Sequence, residues 1–152
     1  DVRGWSRTPK AIAGIQCCNG LVSLNDFLSQ SDILVVMLPL TPQTAGLLSA
    51  ERLSRLPAGA AFINVSRGAI VDQAALTEAL RAGQIAQATL DVFDREPLPP
   101  DDPLWRMDNV LITPHLASVA IPASAAQQVA DNIQRAARGE PVNGQVFPER
   151  GY

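Results

Sequence analysis

Residues 60–92 read AAFINVSRGAIVDQAALTEALRAGQIAQATLDV. This stretch holds an apolar run, an amphipathic segment with helix-capping residues, and a second apolar run, in that order. The three segments predict a strand over 60–65, a helix over 73–82 that Asp72 caps and Gly83 ends, and a strand over 88–92. A strand, a helix and a strand in succession are typical of parallel strands joined by a crossover helix.

The same alternation continues on both sides of that unit. The continuous apolar run over 33–38 predicts a strand covered on both faces, and the run over 110–112 predicts the last strand. Three further helices are predicted, over 23–30 with Ser23 as the N-cap, over 49–56 with Ser49 as the N-cap, and over 122–138 with Gly139 after it. The sequence therefore predicts an α/β fold, a doubly wound parallel sheet with helices on both faces, in the single domain that 152 residues allow.

The composition narrows the class of function. The formal net charge is −3 and the pI is about 5.0, and no Lys/Arg cluster occurs, which argues against a nucleic-acid partner. No apolar run reaches the roughly 18 residues that cross a membrane. Cys17 and Cys18 are adjacent and form neither a disulfide framework nor a zinc-binding pattern, so we expect a reducing, cytoplasmic location and no structural metal.

Three chemically active side chains lie just after three successive predicted strands. They are Arg67, Glu96 and His115, the last being the one histidine of the chain. Because the carboxyl ends of parallel strands meet at one edge of a sheet, these side chains are expected to form one site. An Arg can bind a carboxylate through two hydrogen bonds, a His can move a proton near neutral pH, and a carboxylate can orient and charge the His.

Three ordered motifs identify a family. Residues 64–72, 91–97 and 113–117 resemble, in order and spacing, the motifs of the D-isomer-specific 2-hydroxyacid dehydrogenases. Residues 5–8, Trp-Ser-Arg-Thr, and the run 97–105 are similar to the branch of that family that reduces glyoxylate and hydroxypyruvate. The resemblance extends over nearly the whole chain.

The resemblance implies a Rossmann-like domain that is truncated here. Residues 1–120 would be a partial NAD(P)-binding domain without the first strand, the glycine-rich loop and the first helix. Residues 121–152 would be a C-terminal helix and tail that pack on a missing substrate domain. In the usual strand order 3-2-1-4-5-6 the missing strand lies in mid-sheet, so two apolar edges would face a slot, and this chain by itself is expected to be inactive.

The resemblance also implies catalytic roles. Arg67 would bind the substrate carboxylate and polarise the 2-oxo group. His115 would protonate the carbonyl oxygen and line the cofactor site, and Glu96 would pair with His115 and favour its charged form. The alternatives are a surface Arg, a loop His bonded to a backbone carbonyl, and a solvated carboxylate. Trp105 would close the substrate pocket or, alternatively, pack there without a functional role.

For the cofactor, the resemblance implies a groove along the carboxyl edge of the sheet. Ser6 stands where NAD-specific relatives carry an acidic residue, and with Arg7 and Thr8 it would favour a 2′-phosphate, so NADP(H) is expected in preference to NAD(H). The alternative is a solvated basic turn. Asp91 would hold the nicotinamide carboxamide, or else cap a backbone N–H. The other groove residues implied are Leu38, Pro39 and Thr44 on the adenosine and phosphate side, and Val65, Ser66, Leu116, Ala117 and Ser118 on the nicotinamide side.

The sequence therefore predicts an oxidoreductase of small acids. In the whole protein it would reduce glyoxylate, hydroxypyruvate or a similar 2-oxo acid to the 2-hydroxy acid, with NADPH preferred. A homodimer is expected by resemblance. The alternative function is a nucleotide-sensing binding module, as in corepressors built on the same fold.

Overall fold

The computed structural model describes residues 1–147, and residues 148–152, the end of the predicted tail, lie outside the described part. Within residues 1–147 the chain forms six strands, four α-helices and two short 3₁₀ turns. The strands are β1 Arg3–Ser6, β2 Gln16–Asn19, β3 Ile33–Val36, β4 Ala60–Asn64, β5 Ile85–Leu90 and β6 Val110–Ile112. The helices are α1 Gly20–Ser29, α2 Ala50–Leu53, α3 Gln73–Arg81 and α4 Pro122–Ala137, and the 3₁₀ turns are Gly68–Ile70 and Pro103–Arg106.

The paired strands are parallel, which confirms the predicted α/β class. Strands β3, β4, β5 and β6 form one sheet in that order, and β1 and β2 form a second sheet of two strands. Among residues 1–147 no ladder joins the two sheets. Because the order in the larger sheet follows the order in the chain, the carboxyl ends of β4, β5 and β6 lie side by side. The loops that leave these strands therefore share one edge.

One hydrophobic cluster joins the larger sheet to helices α1, α2 and α3. Phe62 at the centre of β4 is fully buried, and Leu28 of α1, Leu53 of α2 and Leu80 of α3 are at most 2% exposed. Burial of each such side chain contributes about 1.5–3 kcal/mol. This packing fixes the strands whose ends carry the candidate site.

Strand β3 alternates in burial, whereas the sequence predicted a strand covered on both faces. Leu34 and Val36 are buried, but Ile33 is 64% exposed and Val35 is 46% exposed. Helix α4 contributes no buried residue. The described part of the chain therefore leaves one face of β3 open.

Capping predictions were correct at three places. Asp72 caps α3 by accepting a hydrogen bond from the N–H of Ala75 at 3.0 Å, and the side chain of Ser49 caps α2. Gly83, after α3, has φ of 70°, the left-handed conformation that its position predicted. Each of these signals depends on residues close in the sequence.

The prediction for α1 was wrong at its start. The helix begins at Gly20, directly after β2, and the Ser23 hydroxyl donates to the carbonyl of Asn19 at 2.8 Å instead of capping the helix. Strand β2 was not predicted at all, because Gln16–Asn19 has no apolar run; it is a strand because it pairs with β1. Strand β5 begins at Ile85, three residues before its predicted start.

Candidate active site at the carboxyl edge of the larger sheet

Arg67 lies in a tight turn that Asn64 holds at the end of β4. The Asn64 side chain is 2% exposed. Its Oδ1 accepts from the N–H of Ser66 at 3.1 Å, and its Nδ2 donates to the carbonyl of Arg67 at 3.2 Å. The Arg67 guanidinium is exposed and donates to the carbonyl of Ser66 at 2.6 Å. The turn therefore presents a cation at the edge of the sheet from a fixed backbone.

Gly68 brings this turn against the loop that follows β5. A Cβ atom at Gly68 would lie 1.8 Å from the carbonyl carbon of Phe93 and 2.3 Å from the N of Asp94. No side chain fits at that distance from a backbone. The loop that carries Arg67 and the loop that carries Glu96 are therefore in direct contact.

Glu96 and His115 form a hydrogen-bonded pair. His115 Nδ1 lies 2.9 Å from Glu96 Oε2, and Glu96 Oε1 accepts from the N–H of Phe93 at 3.0 Å. The bond from His115, followed by the bond from Phe93, lowers the pKa of Glu96 from its ordinary value, and the charge of Arg67 adds to this effect. With Nδ1 turned to the carboxylate, Nε2 is the ring atom left to give or take a proton.

Asp91 is buried beneath the turn that carries His115. Its carboxylate accepts from the Thr113 hydroxyl, from the N–H of Leu116 at 2.9 Å and from the N–H of Ala117 at 2.9 Å. Burial raises the pKa of Asp91, but the three hydrogen bonds and the nearby charge of His115 together lower it more, so the net change is downward. The ionised carboxylate is therefore the form that the fold stabilises.

A groove of about 570 Å³ runs along the ends of β3 and β4. It brings together most of the residues that the sequence assigned to the nicotinamide side and to the turn after β3. Its lining consists of Met37, Leu38, Pro39, Leu40, Val65, Ser66, Arg67, Ala117 and Ser118. Met37 and Leu40 were not predicted, although both flank the Leu38-Pro39 pair that was.

A second cavity of about 570 Å³ lies around the Glu96–His115 pair. Its walls are mainly apolar and come from the loop after β5 and the turn after β6. The lining residues are Asp91, Phe93, Glu96, Pro97, Leu98, Trp105, Ile112, Thr113, Pro114 and His115. The indole of Trp105 is held by a hydrogen bond from its Nε1–H to the carbonyl of Pro99 at 2.9 Å, and the residue is 52% exposed.

The three residues expected to favour the 2′-phosphate of the cofactor lie at the end of β1, which is Ser6, and in the turn that follows it, which holds Arg7 and Thr8. The hydroxyl of Ser6 donates to the carbonyl of Thr8 at 2.8 Å. Arg7 Nη1 donates to Gln43 Oε1 at 3.4 Å, which places this turn beside the turn that follows β3. Gln43 was not predicted, because its partner is 36 positions away in the chain.

Thr44, expected on the adenosine and phosphate side of the groove, has an internal role in the turn that follows β3. It is 8% exposed, and its hydroxyl donates to the carbonyl of Pro39 at 2.6 Å and accepts from the N–H of Thr41 at 2.7 Å. Its side chain therefore holds the turn that borders the groove, and it is not itself among the groove residues.

Neither a metal cluster nor a membrane helix appears in the described residues. Within residues 1–147 no group of three or more His, Cys, Asp or Glu side chains is arranged to hold a metal ion. No helix in that range is both long and apolar enough to span a membrane.

Comparison with known proteins identifies the domain. Residues 1–117 match the NAD-binding domain of the D-isomer-specific 2-hydroxyacid dehydrogenases. The whole chain superposes with a TM-score of 0.97 and 65% identity on a D-isomer-specific 2-hydroxyacid dehydrogenase from Xanthobacter autotrophicus Py2, solved in complex with NADPH and MES, of which it covers 63%.

Two further solved structures are similar. A probable 2-hydroxyacid dehydrogenase from Rhizobium etli CFN 42, in complex with NADP, HEPES and L(+)-tartaric acid, shares 40% identity with a TM-score of 0.91. An NADPH-dependent glyoxylate/hydroxypyruvate reductase from Sinorhizobium meliloti, in complex with NADP and sulfate, shares 36% identity with a TM-score of 0.92. Each match includes 99% of this chain, and the chain spans 49% of each of these relatives.

Proposed function

The chain belongs to the D-isomer-specific 2-hydroxyacid dehydrogenase family, and from that premise we propose that the protein reduces a small 2-oxo acid to the 2-hydroxy acid with NADPH. The observation that carries the proposal is the pair of His115 Nδ1 and Glu96 Oε2 at 2.9 Å. It lies at the carboxyl edge of a parallel sheet, and the charge of Arg67 is close enough to act on the same carboxylate.

Arg67 binds and orients the substrate in this proposal. Its exposed guanidinium is planar and offers two parallel N–H donors, which match the carboxylate of a 2-oxo acid. The Asn64 side chain and the contact of Gly68 with Phe93 fix the backbone from which that guanidinium extends. This fixed backbone reduces the conformational freedom that substrate binding would otherwise remove.

His115 supplies the proton. Its Nε2–H would protonate the oxygen of the carbonyl group as the carbon becomes an alcohol carbon. Glu96 accepts the hydrogen bond from Nδ1, so it holds the ring in one orientation and stabilises the positive charge of the protonated ring. Glu96 stays ionised for this role because its own pKa is lowered.

The groove residues fit a nicotinamide dinucleotide. Bound NADPH would supply the hydride that reduces the carbonyl carbon. The groove has about 570 Å³ of space, and the apolar side chains of Met37, Leu38 and Val65 suit the faces of an aromatic ring. Arg7 beside Gln43, with the Ser6 hydroxyl in the same turn, is suited to a 2′-phosphate.

The substrate class is narrowed by one relative. The similar protein from Sinorhizobium meliloti is a glyoxylate/hydroxypyruvate reductase, so we propose these two acids as first substrates. Trp105 and Leu98 wall the cavity beside His115 on one side, which favours a compact acid at that position.

We also propose a domain division and an assembly. Residues 1–120 form the nucleotide-binding part, and the C-terminal part, which the structure describes over residues 121–147, packs against a substrate-binding domain and not on the sheet. The lack of any buried residue in α4 supports this. A homodimer completes the proposal on the strength of the family resemblance alone, and the two free thiols, Cys17 and Cys18, suit a reducing, cytoplasmic compartment.

Turnover in the intact protein tests the function. NADPH oxidation is followed with glyoxylate and with hydroxypyruvate for the wild type, His115→Ala and a control, Arg55→Ala, whose side chain is on the surface in an ion pair with Glu51. Loss of a general acid lowers kcat about 10²- to 10⁴-fold, so His115→Ala is expected to fall by that factor while its Kd for NADPH and the kcat of Arg55→Ala stay near wild type.

Two results would count against the proposal. Equal kcat in His115→Ala and the wild type would remove His115 from the reaction. Tight NADPH binding by the wild type without turnover of any 2-oxo acid would favour the nucleotide-sensing alternative.

A further inference from the structure

We infer that Asp91 is a positioning residue for His115: its buried carboxylate fixes the turn over 113–117, and with it the direction in which the imidazole is presented. The consequence for catalysis rests on the proposed function. The placement of the turn is independent of the proposed function, because it is a property of the chain without any cofactor or substrate.

All the hydrogen-bond donors around Asp91 come from the turn that carries His115. Asp91 directly follows β5 and is 2% exposed. Its Oδ1 accepts from the Thr113 hydroxyl and from the N–H of Leu116, and its Oδ2 accepts from the N–H of Ala117. The carboxylate therefore binds residues on both sides of His115.

The turn needs such an anchor because of its backbone. His115 has φ of 54°, and in residues 1–147 it is the one non-glycine residue with a positive φ. A side chain in this region costs of order 1–3 kcal/mol and persists only where the surroundings determine the conformation. Within the described part of the chain, the N–H of His115 donates only to the carbonyl of Thr113, at 3.1 Å in the same turn. From outside the turn, the carbonyl of Leu90 accepts from the N–H of Thr113 at 3.0 Å, and Asp91 supplies the bonds to Leu116 and Ala117, the two residues that follow His115.

A carboxylate is the side chain that these donors require. Two backbone N–H groups and a hydroxyl need three acceptor positions, and an ionised carboxylate has about four. An amide of the same shape has one oxygen, and its NH₂ group would face an N–H. Replacing Asp91 by Asn therefore leaves at least one of these donors without its acceptor on residue 91.

The ring of His115 is held from the same short segment. Glu96, five positions after Asp91, bonds to His115 Nδ1 and is itself tied to the N–H of Phe93. Residues 91–96 thus fix both the backbone and the ring of His115. Since Oδ1 already accepts two bonds and Oδ2 accepts one, a single acceptor position of Asp91 is left for a cofactor carboxamide.

The test uses the single histidine of the chain. Nitrogen-15 NMR of the 152-residue protein without cofactor shows the two ring nitrogens of His115 free of overlap, because the chain has one histidine. The chemical shifts of these nitrogens report the tautomer of the ring. The tautomer is compared in the wild type, Asp91→Asn and Asp72→Asn. Hydrogen exchange at Leu116 and Ala117 is measured relative to amides of β4. Asp91→Asn is expected to lose the single Nδ1–H tautomer and to raise exchange at both amides about tenfold or more.

Asp72→Asn is the matched control, because it removes a carboxylate that caps α3 and does not touch the turn. It is expected to leave both signals unchanged. Thr113→Val, which removes only the hydroxyl donor, is the second variant and decides the matter if Asp91→Asn does not fold. It is expected to accelerate exchange at the same two amides by a smaller factor.

A different pattern overturns the inference. Suppose that Asp91→Asn keeps the wild-type tautomer and exchange rates in the 152-residue protein but weakens NADPH binding in the intact protein. Asp91 is then a cofactor ligand and does not position His115. If the signals change as expected, and kcat in the intact protein falls more than the KM for NADPH rises, the inference stands. Changed NMR signals in a protein whose wild type turns over no 2-oxo acid support the positioning role and refute only the proposed function.

Discussion

Each side chain of the candidate site is oriented by hydrogen-bond partners, and some of these partners are far away in the sequence. The sequence places Arg67, Glu96 and His115 after successive strands, and the structure pairs the last two at 2.9 Å. Asp91 shows what the sequence left open. A carboxylate at the end of an apolar strand implies a partner, but it does not tell a cofactor amide from backbone N–H groups. Those N–H groups come from residues 25 and 26 positions away.

Arg7 is expected to distinguish the two nicotinamide cofactors. A charge-assisted hydrogen bond to a phosphate is worth about 1.5–3 kcal/mol, so Arg7→Ala should raise the Kd for NADPH about tenfold or more. The Kd for NADH, which has no 2′-phosphate, should stay within about twofold. Isothermal titration with both cofactors measures this, with Arg55→Ala as a control for loss of a surface charge. Equal weakening of both cofactors would show that Arg7 does not read the 2′-position.

Asp91 is expected to make the fold sensitive to acid. Its pKa in the folded chain is below the ordinary value of 3.8, since the effect of burial is outweighed by the three hydrogen bonds together with the charge of His115. The ionised form therefore stabilises the fold fully above that value, and the contribution is lost as the pH falls through the lower, folded pKa. Urea unfolding at pH 6 and pH 3 should show a larger loss of unfolding free energy in the wild type than in Asp91→Asn. Parallel losses in the two proteins would contradict this prediction. Asp72→Asn, which removes the carboxylate that caps α3, is the control for loss of a carboxylate elsewhere in the fold.

At the scale of elements, the site depends on how the loop after β4 meets the loop after β5. Local signals in the sequence predicted α3 from Asp72 to Gly83, because a cap and a left-handed glycine act within a few residues. The contact between Gly68 and Phe93 was not predictable in that way. It joins positions in different loops, and only the folded sheet brings them together.

Gly68→Ala is expected to separate the two loops. Gly68 does not have a positive φ, so the new Cβ is tolerated by the backbone conformation and excluded by space, 1.8 Å from the carbonyl carbon of Phe93. We expect a loss of about 1–3 kcal/mol or more in unfolding free energy, together with a loss of turnover as Arg67 moves away from Glu96. Chemical denaturation and kcat are measured in parallel.

Gly83→Ala is the matched control for that experiment. Its φ of 70° makes Ala unfavourable by about 1 kcal/mol, but nothing lies within 4 Å of the new Cβ and the position is at the opposite end of β5. It should lose stability and keep kcat. If Gly68→Ala also keeps kcat, the close contact of the loops is not needed for the site.

For the molecule as a whole, alternation of apolar and amphipathic segments was enough to predict a parallel α/β sheet. That pattern is written along the chain and needs no knowledge of distant contacts. It did not reveal that one face of β3 is open, because a continuous apolar strand is the same in sequence whether or not a helix covers it. It also did not reveal β2, whose strand conformation depends on pairing with β1.

The open face and free edge of β3 are expected to drive association of the 152-residue chain with itself. Within residues 1–147, β3 pairs with β4 on one side and with no strand on the other, and Ile33 and Val35 are 64% and 46% exposed, so an unpaired edge lies next to apolar surface. Sedimentation velocity over a range of concentrations should show species above 16.2 kDa for the wild type. Val35→Lys should shift these species toward the monomer, because a charge on that face would be buried by association.

Ile12→Lys is the control, at an exposed apolar residue in the loop before β2, and it should leave the distribution of species unchanged. An identical shift in both variants would point to net charge, and not to the face of β3, as the cause.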